Sequence, residues 1–153
     1  MKLAEALLLR GDLQRKLASL RERIEKNTLV QEDERPSEDP NALLAQAEVV
    51  LGQLEKLVYA INEANFTGTT PKGRTLTRAL AGREALLHRH AILLAAASSA
   101  TQPPERYGVK EIRWVRIVDV AALRRAADEA ALSFRELNAE IQAANWTIDI
   151  TAP

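Results

Sequence analysis

From Val120 to Ala144 apolar residues recur at spacings of three and four, through Leu123, Ala127, Ala130, Phe134, Leu137 and Ile141. That run restricts the fold more than any other feature of the chain. A helix with 3.6 residues per turn gathers all of these side chains on one side, whereas a strand scatters them over both faces. The stripe must then be covered, and the rest of the chain supplies helices of similar length to do so.

Over about 3–27, Leu3, Ala6, Leu13, Leu17, Leu20 and Ile24 trace one stripe, while Gln14, Arg15, Glu22, Arg23 and Lys26 occupy the other side. The stripe is interrupted at Arg10, and the adjacent Gly11 costs a helix up to about 1 kcal/mol relative to alanine. Over about 40–65 the stripe is read as Leu44, Ala47, Leu51, Leu54, Val58 and Ile61. Over about 76–100 it is Leu76, Leu80, Leu87 and Leu94, with Arg83 and His90 falling within it, and Ala91–Ala97 is apolar all round. The fourth helix spans about 119–145. Between them lie an acidic stretch ending in Asp39-Pro40, a helix-start signal, the turn formers Thr67–Gly73 with Thr75 or Thr77 as the next cap, and Pro103-Pro104, which stops the third helix.

The predicted architecture is all-α: an antiparallel four-helix bundle or long helical hairpins packed in the coiled-coil manner, in one domain over 1–153, with one β-strand before the last helix. No internal repeat is apparent beyond the shared heptad spacing. The strand is expected over about 109–118, where Ile112, Trp114 and Val118 share one face and Val115 and Ile117 the other. Its backbone needs a partner. Within the chain only Trp146–Thr151 has a similar composition; between chains the strand can pair with its own copy. Ile112, Trp114, Val115, Ile117 and Leu93 are therefore candidate interface residues of a homo-oligomer, with a dimer favoured and higher order open.

The 153 residues carry 21 basic and 21 acidic side chains, so net charge predicts no attraction to nucleic acid or to an anionic membrane. Without cysteine there are no disulfides and no thiol chemistry. No export signal and no membrane-length apolar run is read, which gives a soluble, cytoplasmic, non-membrane expectation.

Several segments together resemble a family of small, uncharacterised bacterial proteins, some labelled "septicolysin": Leu9–Gln14, Glu34–Pro40, Ile61-Asn62, Gly73–Thr77 and Asn145–Thr147. The resemblance implies a soluble helical protein of this size and brings no activity with it. The residues do not support the cytolysin that the label suggests, since a secreted pore-former of the cholesterol-dependent kind is far larger, β-rich and preceded by an export signal.

Arg10 and Arg83 each interrupt a stripe, seven residues after Leu3 and Leu76. In an up-down-up-down bundle they would share a level, and two inward guanidinium groups suit a small anion. The competing reading pairs each with an acid such as Asp12, Glu63 or Glu136. Asn62, Asn65 and Asn145 read as helix-end caps, and Asn145 joins Arg10, Asp12 and Arg83 as a candidate member of a polar network. His88 and His90 point apart on a helix and make no metal pair. No metal, no cofactor and no catalytic constellation is read. Arg106, Tyr107, Lys110, Arg113, Trp114 and Arg116 resemble a nucleic-acid surface, diluted by Glu105, Glu111 and Asp119. The expected function is a structural or protein-interaction protein that self-assembles, with small-anion binding as the alternative and a nucleic-acid binder or an enzyme behind it.

Overall fold

The computed structural model describes residues 1–101 and 114–151. The fold is all-α. Four long helices carry it: α1 (Leu3–Asn27), α2 (Pro40–Thr67), α3 (Leu76–Ser99) and α4 (Val120–Thr147). Two compact units divide the chain, one of Met1–Thr69 with the stretch from Gln142 onward, the other of Thr70–Ile141.

In the first unit α1 and α2 form an antiparallel hairpin. Leu20, Leu43 and Val50 are buried at its centre, with Leu13, Leu17, Ile24, Ala47 and Leu54 packed around them. The hairpin is locked at its turn. Arg23 Nε donates to Glu38 Oε2 at 2.8 Å and a second guanidinium nitrogen donates to the other carboxylate oxygen. Buried Asn27 donates to the carbonyl of Arg23 and accepts from Ser37 Oγ at 2.9 Å and from the Glu38 amide at 3.1 Å. Asp39 then caps α2 by accepting from the Asn41 amide at 2.9 Å, and Pro40 opens the helix.

The far end of the unit is closed by the two ends of the chain. Lys2 and Asp149 form an antiparallel bridge, with the Leu3 amide donating to the Ile148 carbonyl and the Ile150 amide to the Met1 carbonyl, both at 2.9 Å. Lys2 Nζ reaches Asp149 Oδ2 at 2.9 Å. Trp146–Thr151, which the sequence offered as a partner for the strand, is thus used elsewhere. Its first two residues finish α4 and the following ones pair with the amino terminus.

In the second unit contacts between α3 and α4 run in opposite directions. Arg83 NH1 donates to Asn138 Oδ1 at 3.1 Å and Arg116 Nε to the carbonyl of Ala100, also at 3.1 Å. Thr75 caps α3, its hydroxyl accepting from the Arg78 amide, and Asp119 Oδ1 accepts from the Ala122 amide at the start of α4. The α4 stripe is buried as the spacing predicts: Ala127, Ala130, Leu137, Ile141 and Ala144 all face inward.

Three expectations are corrected. The strand expected over 109–118 is not formed at Trp114–Val118, which are irregular, while Val109–Arg113 lie outside the described residues. The seam of α2 keeps Ala47, Leu54 and Ile61 of the expected stripe but is otherwise set one residue earlier. Leu43, Val50 and Leu57 are buried with Ile61, whereas Leu44, Leu51 and Val58 are exposed. Likewise α3 buries Leu76, Ala79 and Ala97, while Leu87 and Leu94 face out. The reason is common to both: each helix is apolar over more than one stripe, and spacing alone does not say which stripe its neighbour takes.

The helix ends carry ordinary backbone bonds four residues apart, among them Leu43 amide to Asp39 carbonyl and Leu123 amide to Asp119 carbonyl, and the Thr67 hydroxyl donates to the Glu63 carbonyl as Thr147 does to that of Ala143.

Candidate functional site

Because α1 takes the Leu43–Val50–Leu57 side of α2, the neighbouring stripe remains uncovered. Leu44, Leu51 and Val58 are 48%, 43% and 37% exposed, and each lies one residue beyond a buried member of the seam. They sit in line on successive pairs of turns. A shallow groove runs along this face, lined by Leu51, Leu54, Val58 and Tyr59 with Gln14, Glu55 and Asn62 at its polar edge. Singly exposed leucines need no explanation, but a heptad-spaced row on a rigid helix is the pattern of a packing surface.

A polar site that the sequence reading missed lies in the second unit. Glu140 is only 8% exposed. One carboxylate oxygen accepts from the hydroxyl of buried Thr70, and the other lies 3.5 Å from Lys72 Nζ. The Thr70 hydrogen bond, followed by the charges of Lys72 and Arg74, holds the Glu140 carboxyl below its ordinary value of 4.5 against the opposing effect of burial. A tight turn positions these groups. The Gly73 amide donates to the Thr70 carbonyl at 2.8 Å and the Thr70 amide to the Arg74 carbonyl at 2.7 Å, with Gly73 at φ +77°. Lys72, Gly73, Arg74, Thr75 and Arg78 line an open basic cleft beside the turn. The sequence did hold a clue: Glu140 follows Leu137 by three residues and precedes Ala144 by four, and so falls in phase with the buried stripe.

The residues singled out from the sequence are placed as follows. Arg10 is half-buried on α1, within its seam. Asp12 is ion-paired with Arg15 at the surface rather than with Arg10. Arg83 is half-buried on α3 and bonded to the neutral amide of Asn138 rather than to an acid. Asn145 is buried, and α4 continues past it to Thr147. The expected asparagine caps are replaced by threonine: Thr67 and Thr147 supply the helix-end hydrogen bonds, and α2 also runs past Asn62 and Asn65.

Of the expected interface residues, Trp114, Val115 and Ile117 are exposed, Leu93 is half-buried, and Ile112 lies outside the described residues. Most of the basic aromatic run also lies outside them. Glu84 and His88 share a helix face, with Oε1 and Nε2 3.2 Å apart in the open. Among the described residues no cluster of three or more ligating side chains is placed to hold a metal ion, and no helix is long and apolar enough to cross a membrane.

Residues 10–150 match the model of a family described as a family of unknown function, DUF6847. The chain belongs to that family. Among solved structures it is similar to a functionally unknown conserved protein from Corynebacterium diphtheriae, with 34% identity, a TM-score of 0.89 and 99% of each chain covered. No curated protein matches. The segments that carried the sequence resemblance can now be read in structural terms. Glu34–Pro40 locks the α1–α2 turn, Gly73–Thr77 shapes the entry to α3, and Asn145–Thr147 ends α4.

Proposed function

We propose that this chain is a structural or protein-interaction protein that self-assembles, with the exposed stripe Leu44–Leu51–Val58 as a contact surface. The observation that carries this reading is the second apolar row on α2, left uncovered once α1 has taken the first. These two leucines and the valine are already more than half covered, so burying the remainder against another helix gains roughly 0.5–1.5 kcal/mol per side chain. That is enough to favour association once several such contacts add. The test is the mass of the chain in solution, measured by sedimentation across a hundredfold range of concentration. Leu51→Glu places a charge in the middle of the row, and the expected outcome is a monomer with unchanged helicity. A wild-type chain that stays monomeric at all concentrations sinks the reading.

A second reading, small-anion binding at Arg83, is supported by one observation: this residue is half-buried on α3 and bonded to the neutral amide of Asn138 rather than to an acid. Titration with inorganic phosphate, followed by thermal stability, is the check. Saturable stabilisation of the wild type that disappears in Arg83→Met supports it; an equal response of both proteins removes it.

A further inference from the structure

We infer that the turn leading into α3 is a phosphate site, in which Lys72, Arg74 and Arg78 share one cleft and hold a phosphate dianion carried by a small soluble compound or by a lipid headgroup. The site lies within the second unit, and it rests neither on the self-assembly reading nor on the one at Arg83.

Charge marks this place out. The chain is neutral as a whole, with 21 basic and 21 acidic residues. Its described residues divide unevenly: the first unit carries nine basic and thirteen acidic side chains, the second nine basic and six acidic. At the turn this excess is concentrated, because the cleft of about 580 Å³ is lined by three cations, Gly73 and Thr75, and by no acid. No apolar side chain lines it either, so the group recognised is the anion itself rather than an apolar body attached to it.

Glu140 offsets only part of that charge. One of its carboxylate oxygens accepts from Thr70 and the other faces Lys72 Nζ at 3.5 Å, so both are engaged. Arg74 and Arg78 are exposed, and among the described residues neither is ion-paired. One carboxylate against three cations leaves two positive charges, the number that a phosphate dianion carries with the opposite sign. Like charges around one cleft repel one another, and an anion seated between them relieves that repulsion. Guanidinium groups add a fork of N–H donors that suits phosphate oxygens.

The backbone of the cleft is held in shape before any ligand arrives. Thr70, 4% exposed, is bonded to Arg74 twice: its amide donates to the Arg74 carbonyl at 2.7 Å and its hydroxyl accepts from the Arg74 amide at 3.3 Å. The Gly73 amide closes the same loop onto the Thr70 carbonyl at 2.8 Å. The Thr70 hydroxyl in turn donates to buried Glu140, which ties the turn to α4. A fixed backbone lowers the ordering cost of binding, leaving only the ends of the basic side chains to be immobilised. Gly73 also leaves room, since a side-chain carbon placed on it meets nothing within 4 Å.

Calorimetric titration tests the site. The probes are inorganic phosphate, pyrophosphate, and phosphatidylcholine vesicles with and without phosphatidic acid, all at one ionic strength. The expected result is saturable binding of a phosphate-bearing probe, weakened about tenfold or more in the Arg74→Met, Arg78→Met double variant and unchanged in Arg83→Met. Both exchanged side chains are exposed, so helicity and melting should match the wild type; Arg78→Met alone, which leaves the turn untouched, should weaken binding by a smaller factor. Binding of the soluble probes identifies a free phosphate compound, and binding confined to phosphatidic acid vesicles identifies a headgroup. Failure of every probe overturns the proposal, as does an equal affinity in the double variant. Binding lost in Arg83→Met but kept in the double variant places the anion at Arg83 and overturns it too.

Discussion

The two helical hairpins bury different side chains. Between α1 and α2 the seam is aliphatic, built around Leu20, Leu43 and Val50, with Leu57 fully buried further along α2. Between α3 and α4 the buried positions are dominated by alanine, at 79, 97, 127 and 130, and the seam also holds the half-buried Arg83 and His90. The first hairpin buries large aliphatic side chains at its centre, whereas the second buries more alanine, beside Leu76, Leu137 and Ile141. Equal topology therefore does not mean equal vulnerability: the first should suffer most from lost atoms, the second from added ones.

Truncation should give the largest effect. Leu20→Ala removes a side chain that is 1% exposed and should cost about 2–5 kcal/mol, read as a lowered denaturant midpoint at unchanged slope. A cost below about 1 kcal/mol would break the contrast. Overpacking probes the other hairpin. Ala127→Leu forces a larger side chain into a position that is fully buried and should cost about 1–3 kcal/mol, and a neutral result would mean that the second seam is loose.

Capping should scarcely distinguish the hairpins, because Asp39 accepts from the amide two residues on in α2 and Asp119 from the amide three residues on in α4, both within the first turn. Alanine at either position should cost ~1 kcal/mol in thermal or chemical unfolding. Glycines separate backbone from packing effects. Gly73→Ala meets no neighbouring atom yet should cost about 1–2 kcal/mol, because its φ is +77°. Gly52→Ala lies mid-helix in open space and should stabilise by up to about 1 kcal/mol.

The smallest difference is confined to acid. Glu140 is depressed below 4.5 by Thr70, Lys72 and Arg74 in the second hairpin, and Glu38 is depressed by its hydrogen bonds from Arg23 in the first. In both cases the folded chain holds fewer protons than the unfolded chain between the lowered value and 4.5. Each contribution is thus full above 4.5 and lost as pH falls through the folded value. Thr70→Val should flatten the acid limb of the stability curve, measured by urea unfolding between pH 5 and pH 2. An unchanged limb would show that Glu140 is not held by that hydroxyl.

Much of this was legible in the chain itself. The α4 stripe needed no structure to assign its buried face, because Val120–Ala144 offers one apolar row and no competitor. The start of α2 was legible at Asp39-Pro40 for a local reason, since a cap and a fixed φ act within one turn. Arg83 could be picked out as a break in a stripe, but not its partner: Asn138 lies 55 positions away, and spacing carries no information across a connector.

By itself, then, the sequence determined that this protein is all-α, where its helices start and stop, and which side of α4 faces inward, because all three follow from local propensity and helical period. Only the tertiary structure decided which of two apolar stripes on α2 and α3 became the seam, what became of Trp114–Val118, and that buried Glu140 meets Thr70 and Lys72. Those outcomes depend on which neighbours a surface that can satisfy several packs against in the folded chain. A two-stripe helix is locally indifferent between them; packing resolves the choice, and the stripe that packing left open on α2 is the one proposed here to meet another chain.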